Sequence, residues 1–242
     1  MPGLSALKHN PYLLRWADLL GTSMRIPRRL TQTALQHGAQ QLAQIDPDLG
    51  AVLARLGVPP LWGREPGFPA LIQIILEQQI SLAAARSIYK RLATHLGAIS
   101  PAAVYAAQAS GLRAVGLTRQ KAAYCHGLAE RILHGKLDLT AVTRASDEIG
   151  RQMLLQVPGL GPWSVDIYYL MALRRPDVWP QGDLALASAI REVKALNALP
   201  TREEQQSLAA AWAPWRSIAA RLLWAHYLAA RGQYVPPVRK LS

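Results

Sequence analysis

A long apolar stretch interrupted at its centre constrains the fold of this chain more than any other feature. Residues 154–173 read LLQVPGLGPWSVDIYYLMAL, and two prolines and two glycines lie within Pro158–Pro162. Proline removes a backbone donor and ends a helix, whereas glycine permits positive φ and close backbone approach. The sequence therefore predicts two helices joined by a tight turn.

The predicted turn places several backbone N–H groups at the N-terminus of its second helix. Gly159 and Gly161 are expected to permit positive φ and close approach, and Pro162 suits the first helical turn. These donors and the helix dipole favour an anion such as phosphate, with the Ser164 hydroxyl as a further donor. An ordinary helical hairpin that only needs a sharp turn is the alternative.

Apolar residues recur at three- and four-residue spacing along nearly the whole chain, which predicts an all-α fold. Ser81 is expected to cap a helix and to break the run 70–96 in two. The other helices are predicted at 31–45, 48–56, 101–107, 119–134, 144–155, 163–173, 183–195, 202–211 and 215–230.

Charge and cysteine content narrow the classes of partner and site. The 242 residues carry a formal net charge of +12 and are 50% hydrophobic, which indicates a globular chain with a polyanionic partner, either nucleic acid or an anionic membrane surface. One cysteine, Cys125, excludes an internal disulfide, an iron–sulfur cluster and a cysteine zinc site. The six histidines show no metal-ligand spacing.

No signal peptide or membrane span is visible in the sequence, so a cytoplasmic setting without a membrane partner is expected. Residues 1–30 are predicted to be an N-terminal extension. Its basic MRIPRR segment, with Arg25, Arg28 and Arg29, is interpreted as a tail, and a DNA-contacting arm is the alternative.

Three separated motifs resemble the helix-hairpin-helix DNA glycosylase superfamily, in its 3-methyladenine DNA glycosylase II branch, which repairs alkylated DNA. The first is LIQIILEQQISLAAARSI, the second is LLQVPGLGPWSVDIYYL followed by RRPDVWPQGDLALASAI, and the third is AWAPWRSIAARLLWAHYL. The family hairpin reads L-P-G-[IV]-G-x-x-[ST]-A and precedes a catalytic aspartate. The resemblance covers about residues 40–232.

The resemblance implies a two-lobed fold with the active site in the cleft between the lobes. One helical lobe is expected to combine 31–67 with 176–242, and 68–175 is expected to form the lobe with the hairpin. The implied partner is double-stranded DNA with damaged bases, bound by a monomer. The related branch often has an extra N-terminal αβ domain, whereas only 1–30 precede the first matched helix here. Its absence is expected to open the pocket and broaden the range of bases.

The implied catalytic residue is Asp183, twenty residues after Trp163 in the sequence. An alkylated purine is a cationic leaving group, so one carboxylate that stabilises the sugar cation and directs water suffices. Relatives that also cut the DNA backbone carry a nucleophilic lysine where this chain has Trp163, which predicts a monofunctional glycosylase without a catalytic cofactor. Asp183 as a simple helix N-cap is the alternative. Asp166 is expected to fix the hairpin through a polar partner.

A flipped, electron-poor base stacks on aromatic faces. The resemblance places Trp163 and Trp224 in the pocket, and Trp179 and Tyr168 are weaker candidates. Two further pocket positions can be aromatic in the best-known bacterial pattern but are aliphatic here, which predicts a shifted base preference: Ile167 and Leu184.

The resemblance also assigns DNA-contacting positions. Gln79 is the expected plug for the gap left by the flipped base, with Gln78 facing the pocket or the opposite strand, unless both glutamines only satisfy a helix end. The expected phosphate contacts are Gly159, Gly161, Ser164 and Lys121, with Arg119 and Arg216 as additional candidates. The backbone carbonyls of Leu155, Val157 and Leu160 are expected to hold a structural, monovalent cation.

Two rival functions stay open on the sequence alone. A glycosylase for an oxidised or deaminated base would use the same aspartate. A non-catalytic DNA-binding module would use the hairpin only to hold phosphates.

Overall fold

The structure is a computed structural model that describes residues 26–236. Every regular element within that range is helical, as the spacing predicted. Most of the predicted N-terminal extension, Arg25 included, lies outside the described residues. The helices are α1 (Gln32–Ile45), α2 (Pro47–Leu56), α3 (Phe68–Glu77), α4 (Leu82–Leu96), α5 (Pro101–Ala114), α6 (Arg119–Leu133), α7 (Leu139–Arg144), α8 (Asp147–Leu155), α9 (Pro162–Ile167) with a π-helical turn (Tyr168–Ala172), α10 (Leu184–Val193), α11 (Arg202–Ala210) and α12 (Arg216–Ala229).

One compact unit is formed, among the described residues, by 26–61 together with 175–236. It contains α1, α2, α10, α11 and α12, and α12 packs against α1, α2 and α10. Helices α1 and α12 approach closely at Gly38, where an added Cβ would lie 2.4 Å from Cδ1 of Ile218. This unit carries Asp183 and Trp224.

The second compact unit is Trp62–Arg174 and contains α3 to α9. Helix α3 is almost wholly buried and packs against α4, α6, α9 and the π-helical turn. The predicted lobe boundaries were 67/68 and 175/176, whereas the contacts divide the chain at 61/62 and 174/175. Residues 62–67 belong to this unit because Arg64 binds two of its residues. The backbone N–H of Arg64 donates to Met171 O, and its guanidinium donates to the Glu77 carboxylate.

Several local expectations were confirmed and others were wrong. Ser81 does cap α4, with its Oγ accepting from the N–H of Ala84 at 3.2 Å. Helix α7 was missed, although Asp138 caps it through the N–H of Thr140. The helix predicted at 101–107 does end there, at a kink where Gln108 has φ 54°, and a second helical segment follows the kink to Ala114. Helix α9 changes to a π-helical turn at Tyr168 instead of continuing as an α-helix.

Candidate active site

The interrupted apolar stretch forms the predicted helical hairpin. Helix α8 ends at Leu155, a turn follows, and α9 begins at Pro162. The turn is closed by two backbone hydrogen bonds, from Val157 N–H to Leu154 O and from Leu160 N–H to Val157 O, each 3.0 Å long.

The structure requires glycine at position 159 of the hairpin but not at position 161. Gly159 has φ +90°, and a Cβ there would lie 2.4 Å from Cγ of Tyr124, so both conformation and space require glycine. Gly161 has φ −80°, so the expected positive φ was wrong at this position. An added Cβ at Gly161 would meet no atom within 4 Å. The fold itself therefore does not require glycine at 161.

Backbone donors at the hairpin remain available to a ligand. Within residues 26–236, no protein acceptor takes the N–H of Gly159, Gly161 or Ser164. The Ser164 hydroxyl is different, because it is buried and accepts a hydrogen bond from Nε2 of Gln78 at 2.9 Å. The Ser164 hydroxyl, which was expected to donate to phosphate, thus points into the protein. The backbone N–H of Ser164 is the group that can bind a phosphate.

The three carbonyls named for a cation differ in their protein contacts. Val157 O accepts from Leu160 N–H and keeps one lone pair. Within the part of the chain that the structure describes, no backbone N–H donates to Leu155 O or Leu160 O. Carbonyl oxygens are ligands that suit hard cations, and the assignment of a monovalent cation to these three stays a prediction.

Asp166 has the polar partner that was expected, and it is an arginine. Its carboxylate is 1% exposed and forms an ion pair with Arg151 of α8. The Arg151 guanidinium also lies over the ring of Tyr169, 5.2 Å from its centroid. This contact ties α8 to α9 across the hairpin. The role of Asp166 was predicted but its partner Arg151 was not, because local sequence patterns do not pair residues on different helices.

The turn between α3 and α4 exposes Gln79 with φ +58°, a conformation that few non-glycine residues adopt. Gln78 is half-buried, and its Nε2 donates to Gly159 O at 2.8 Å as well as to Ser164 Oγ. The prediction that Gln78 faces the pocket or the opposite strand is therefore corrected, because its amide is used inside the protein.

Lys121 is also held by the protein and does not offer its ammonium to phosphate. Its Nζ donates to Leu76 O and Gln78 O, at 2.7 Å each, and the residue is 9% exposed. Burial lowers the pKa of Lys121 below its usual range, although the nearby Cys125 acts in the opposite direction. The predicted phosphate contact of Lys121 is therefore wrong.

Arg216, the other cation named for phosphate, is paired within its own unit. Its Nε and Nη2 donate to the two carboxylate oxygens of Asp177 at 2.7 and 2.8 Å. Arg119 is exposed at the start of α6, so its assignment stays a prediction.

Asp183 lies at the N-terminus of α10, where it caps the helix. Its Oδ1 accepts the N–H of Leu186 at 2.9 Å and lies 3.4 Å from Nε1 of Trp224. Asp183 is therefore a helix N-cap, as the alternative interpretation predicted. Capping does not compete with a chemical role, because the same contacts orient the carboxylate beside an aromatic ring.

The residues named for the base pocket are placed differently from one another. Trp163 and Trp224 are half-buried, so each keeps accessible ring surface. Leu184, next to Asp183, is 79% exposed, whereas Ile167 is only 5% exposed and offers almost no face for stacking. The two weaker candidates are core residues: Trp179 packs on Trp212, and the Tyr168 hydroxyl accepts from Gly67 N–H.

Membrane-spanning helices and clusters of metal-binding side chains are both absent from the described residues. None of the helices within 26–236 has the length and apolar character needed to cross a bilayer. No group of three or more histidine, cysteine, aspartate or glutamate side chains in that range is arranged to hold a metal ion.

Comparison with known proteins places the hairpin and Asp183 in one matched region. Residues 72–215 match the family described as HhH-GPD superfamily base excision DNA repair protein. A putative DNA-3-methyladenine glycosylase of Bacillus subtilis, YfjP, is 24% identical over 84% of this chain and 74% of its own length. A DNA-3-methyladenine glycosylase of the same organism is 26% identical to this chain. That match covers 70% of this chain and 58% of the relative's length.

A solved structure supports the same comparison. The Schizosaccharomyces pombe 3-methyladenine DNA glycosylase Mag1, in complex with abasic DNA, has a TM-score of 0.73 and 25% sequence identity. The match covers 78% of this chain and 95% of that chain.

Proposed function

The chain belongs to the HhH-GPD superfamily of base excision DNA repair proteins, and on that premise we propose that it is a DNA glycosylase for alkylated purines. The proposed substrates are of the 3-methyladenine and 7-methylguanine type. The observation that carries the proposal is Asp183, held at the N-terminus of α10 beside the half-buried ring of Trp224. Several relatives that bear the name DNA-3-methyladenine glycosylase support this substrate class.

The proposed reaction is hydrolysis of the N-glycosidic bond. The bond between the sugar C1′ and the cationic base breaks, and the electron pair leaves with the base, which neutralises it. The Asp183 carboxylate stabilises the positive charge that develops on the sugar and orients a water, whose oxygen bonds to C1′. The proton of that water passes to the carboxylate and then to solvent.

A flipped base needs a surface to stack on. We propose that Trp224 and Leu184, which belong to the same unit as Asp183, supply it. Trp163 and Ile167 belong to the other unit, and their assignment to the base pocket stays a prediction. A desolvated cationic base gains about 1–2 kcal/mol from an aromatic face relative to an aliphatic one. The exposed Leu184 directly after Asp183 supports an aliphatic contribution to this pocket.

The positions and contacts of the lysines support the proposed absence of a strand-cutting step. Trp163 occupies the position of the lysine in relatives that cut the backbone, and the two lysines nearest to the site in sequence have partners. Lys121 donates to Leu76 O and Gln78 O, and Lys194 donates to the carboxylates of Asp46 and Asp48 at 2.6 and 2.8 Å. Burial acts to lower the pKa of Lys194, but those two carboxylates outweigh it and raise the pKa, which keeps the amine protonated. A protonated amine is not a nucleophile.

Double-stranded DNA with damaged bases is the proposed partner of a monomeric enzyme. The N–H groups of Gly159, Gly161 and Ser164 are proposed to bind a backbone phosphate, and the net charge of +12 supports a polyanionic ligand. A monovalent cation on the carbonyls of Leu155, Val157 and Leu160 would add positive charge at that phosphate. Gln79 is proposed to fill the gap left by the flipped base.

A base-release panel tests this function. We expect single-turnover release of 3-methyladenine and 7-methylguanine from methylated duplex DNA, with no strand cleavage before alkali treatment. Release only from oxidised or deaminated DNA would support the glycosylase of another specificity. No release from any of the three substrates, with duplex binding retained, would support the non-catalytic binding module.

A pair of glycine variants tests the phosphate assignment. Gly161→Ala should weaken binding to undamaged duplex DNA about tenfold, because the new methyl group enters open space beside the N–H of residue 161. Its loss of stability should be no more than about 1 kcal/mol, the effect of a poorer N-cap. Gly159→Ala should instead destabilise the fold by more than about 1 kcal/mol, because its φ is positive and Tyr124 lies in the way. Fluorescence anisotropy and thermal unfolding measure the two effects. Unchanged DNA affinity in Gly161→Ala would contradict the phosphate site.

A further inference from the structure

The turn that carries Gln79 has a conformation that its own residues do not favour. We call Gln78–Ser81 the wedge turn; it joins α3 to α4. Gln79 is exposed and has φ +58°, which for a non-glycine residue costs about 1 kcal/mol or more. Such a conformation persists only where neighbouring groups hold the backbone.

The first of these groups is Lys121 of α6. Its Nζ donates to Leu76 O near the end of α3 and to Gln78 O in the wedge turn. A buried ammonium at a helix C-terminus satisfies carbonyls without intrahelical partners and interacts favourably with the helix dipole. The carbonyl of Gln78 is thus fixed immediately before Gln79.

The second group is the side chain of Gln78. Its Nε2 donates to Gly159 O of the hairpin turn and to Ser164 Oγ of α9. A carbonyl oxygen only accepts, so the amide nitrogen must be the atom that faces Gly159. Both hydrogens of the amide are used, and both lead to the hairpin that presents the phosphate donors.

We propose that Gln78 and Lys121 are positioning residues that join the wedge turn to the hairpin, so that a phosphate bound at the hairpin sets where Gln79 enters the duplex. Gln78 does not contact DNA in this arrangement. It acts through Gln79, and Lys121 supports it from α6. The consequence for the reaction rests on the proposed glycosylase function, whereas the coupling of hairpin and wedge turn does not.

The variant Gln78→Met removes both amide hydrogen bonds and keeps a flexible side chain of similar length. We expect it to slow single-turnover base release about 10- to 100-fold, because a misplacement on the order of 1 Å is enough for such a loss. Affinity for undamaged duplex should change less than about twofold, because the phosphate donors stay in place.

The matched control is Gln205→Met, in the other unit. Gln205 is buried and its Nε2 donates to Pro200 O, so the same chemical change is made away from the wedge turn and the hairpin. We expect a similar loss of thermal stability in both variants but normal base release in Gln205→Met. Equal release rates for the two variants would overturn the positioning role, because Gln78 would then be structural only.

A double-mutant cycle with Gln79→Ala separates positioning from general weakening. If Gln78 acts through Gln79, the Gln79→Ala substitution should lower release in the native background and change it less than about twofold in Gln78→Met. Fully additive losses would overturn the proposal.

A second readout keeps the coupling testable if the chain releases no base. Duplex DNA with 2-aminopurine beside an abasic-site analogue should become more fluorescent as the inserted wedge unstacks the probe. We expect this rise with the native protein and with Gln205→Met, and a much smaller rise with Gln78→Met at saturating protein. No rise with the native protein, or an equal rise with all three, would overturn the coupling whatever the enzymatic result.

Discussion

Replacing Asp183 by asparagine is expected to lower single-turnover release of 3-methyladenine at least 10³-fold, an order of magnitude typical of a lost base or charge-stabilising group. Asparagine has nearly the same shape, but it neither neutralises a sugar cation nor accepts a proton from water. The helix should survive the change, because asparagine is as good an N-cap as aspartate and its oxygen can still accept from Leu186 N–H and Trp224 Nε1. Release is measured by chromatography of free base from methylated duplex, and stability by thermal unfolding.

The control for this variant is Asp138→Asn. Asp138 is also a helix N-cap, at the start of α7, and its Oδ1 accepts the N–H of Thr140. We expect normal base release from Asp138→Asn and stability within about 0.5 kcal/mol of the native chain. Comparable release by Asp183→Asn and Asp138→Asn would show that Asp183 is only a cap and would remove the chemical basis of the proposed function.

Replacing Arg151 by methionine is expected to cost about 3 kcal/mol of stability. This is the largest loss that we expect from replacing a partly exposed side chain. The change leaves the carboxylate of Asp166, which is 1% exposed, without its cation. It also removes the guanidinium from the Tyr169 ring. Adding Asp166→Asn to this variant should restore part of the lost stability, because the buried charge is removed. Thermal and urea unfolding, followed by circular dichroism, measure the loss and the recovery.

The other unit contains a matched arginine for this test. Arg231 also lies over a tyrosine ring, 3.6 Å from the centroid of Tyr227, and also pairs with a carboxylate, that of Glu192 at 3.4 Å. This pair is more exposed, so Arg231→Met should cost less than about 1 kcal/mol. A loss at Arg151 no larger than at Arg231 would mean that burial of Asp166 does not make its ion pair important.

Features that depend on a few neighbouring residues were predicted correctly. The hairpin break, the cap at Ser81 and the helix that starts after Asp183 follow from proline, glycine and hydroxyl or carboxylate groups within three or four residues. Helix α7 was missed because it is short and its Lys-Leu-Asp-Leu-Thr approach resembles a loop. The π-helical turn was missed because the apolar pattern of residues 168–172 fits an α-helix equally well.

Predictions about site residues failed for side chains whose hydrogen-bond partners are distant in the chain. Lys121 was predicted to contact phosphate, yet its Nζ donates to carbonyls 43 and 45 residues away. Gln78 was assigned to DNA, yet its amide binds a carbonyl 81 residues away. Periodicity and local motifs carry no information on such pairs.

The sequence by itself determined the all-α architecture, the hairpin, the position of Asp183 and the family resemblance, because helix propensity, capping and turn chemistry act between residues close in the chain. Only the tertiary structure decided which polar groups remain available to a ligand. Burial and packing assigned Lys121, the Gln78 amide and the Ser164 hydroxyl to protein partners and left the N–H groups of Gly159 and Gly161 without any among the described residues. That selection is made by the requirement that buried polar groups be hydrogen-bonded, and it takes effect only when helices distant in sequence pack together.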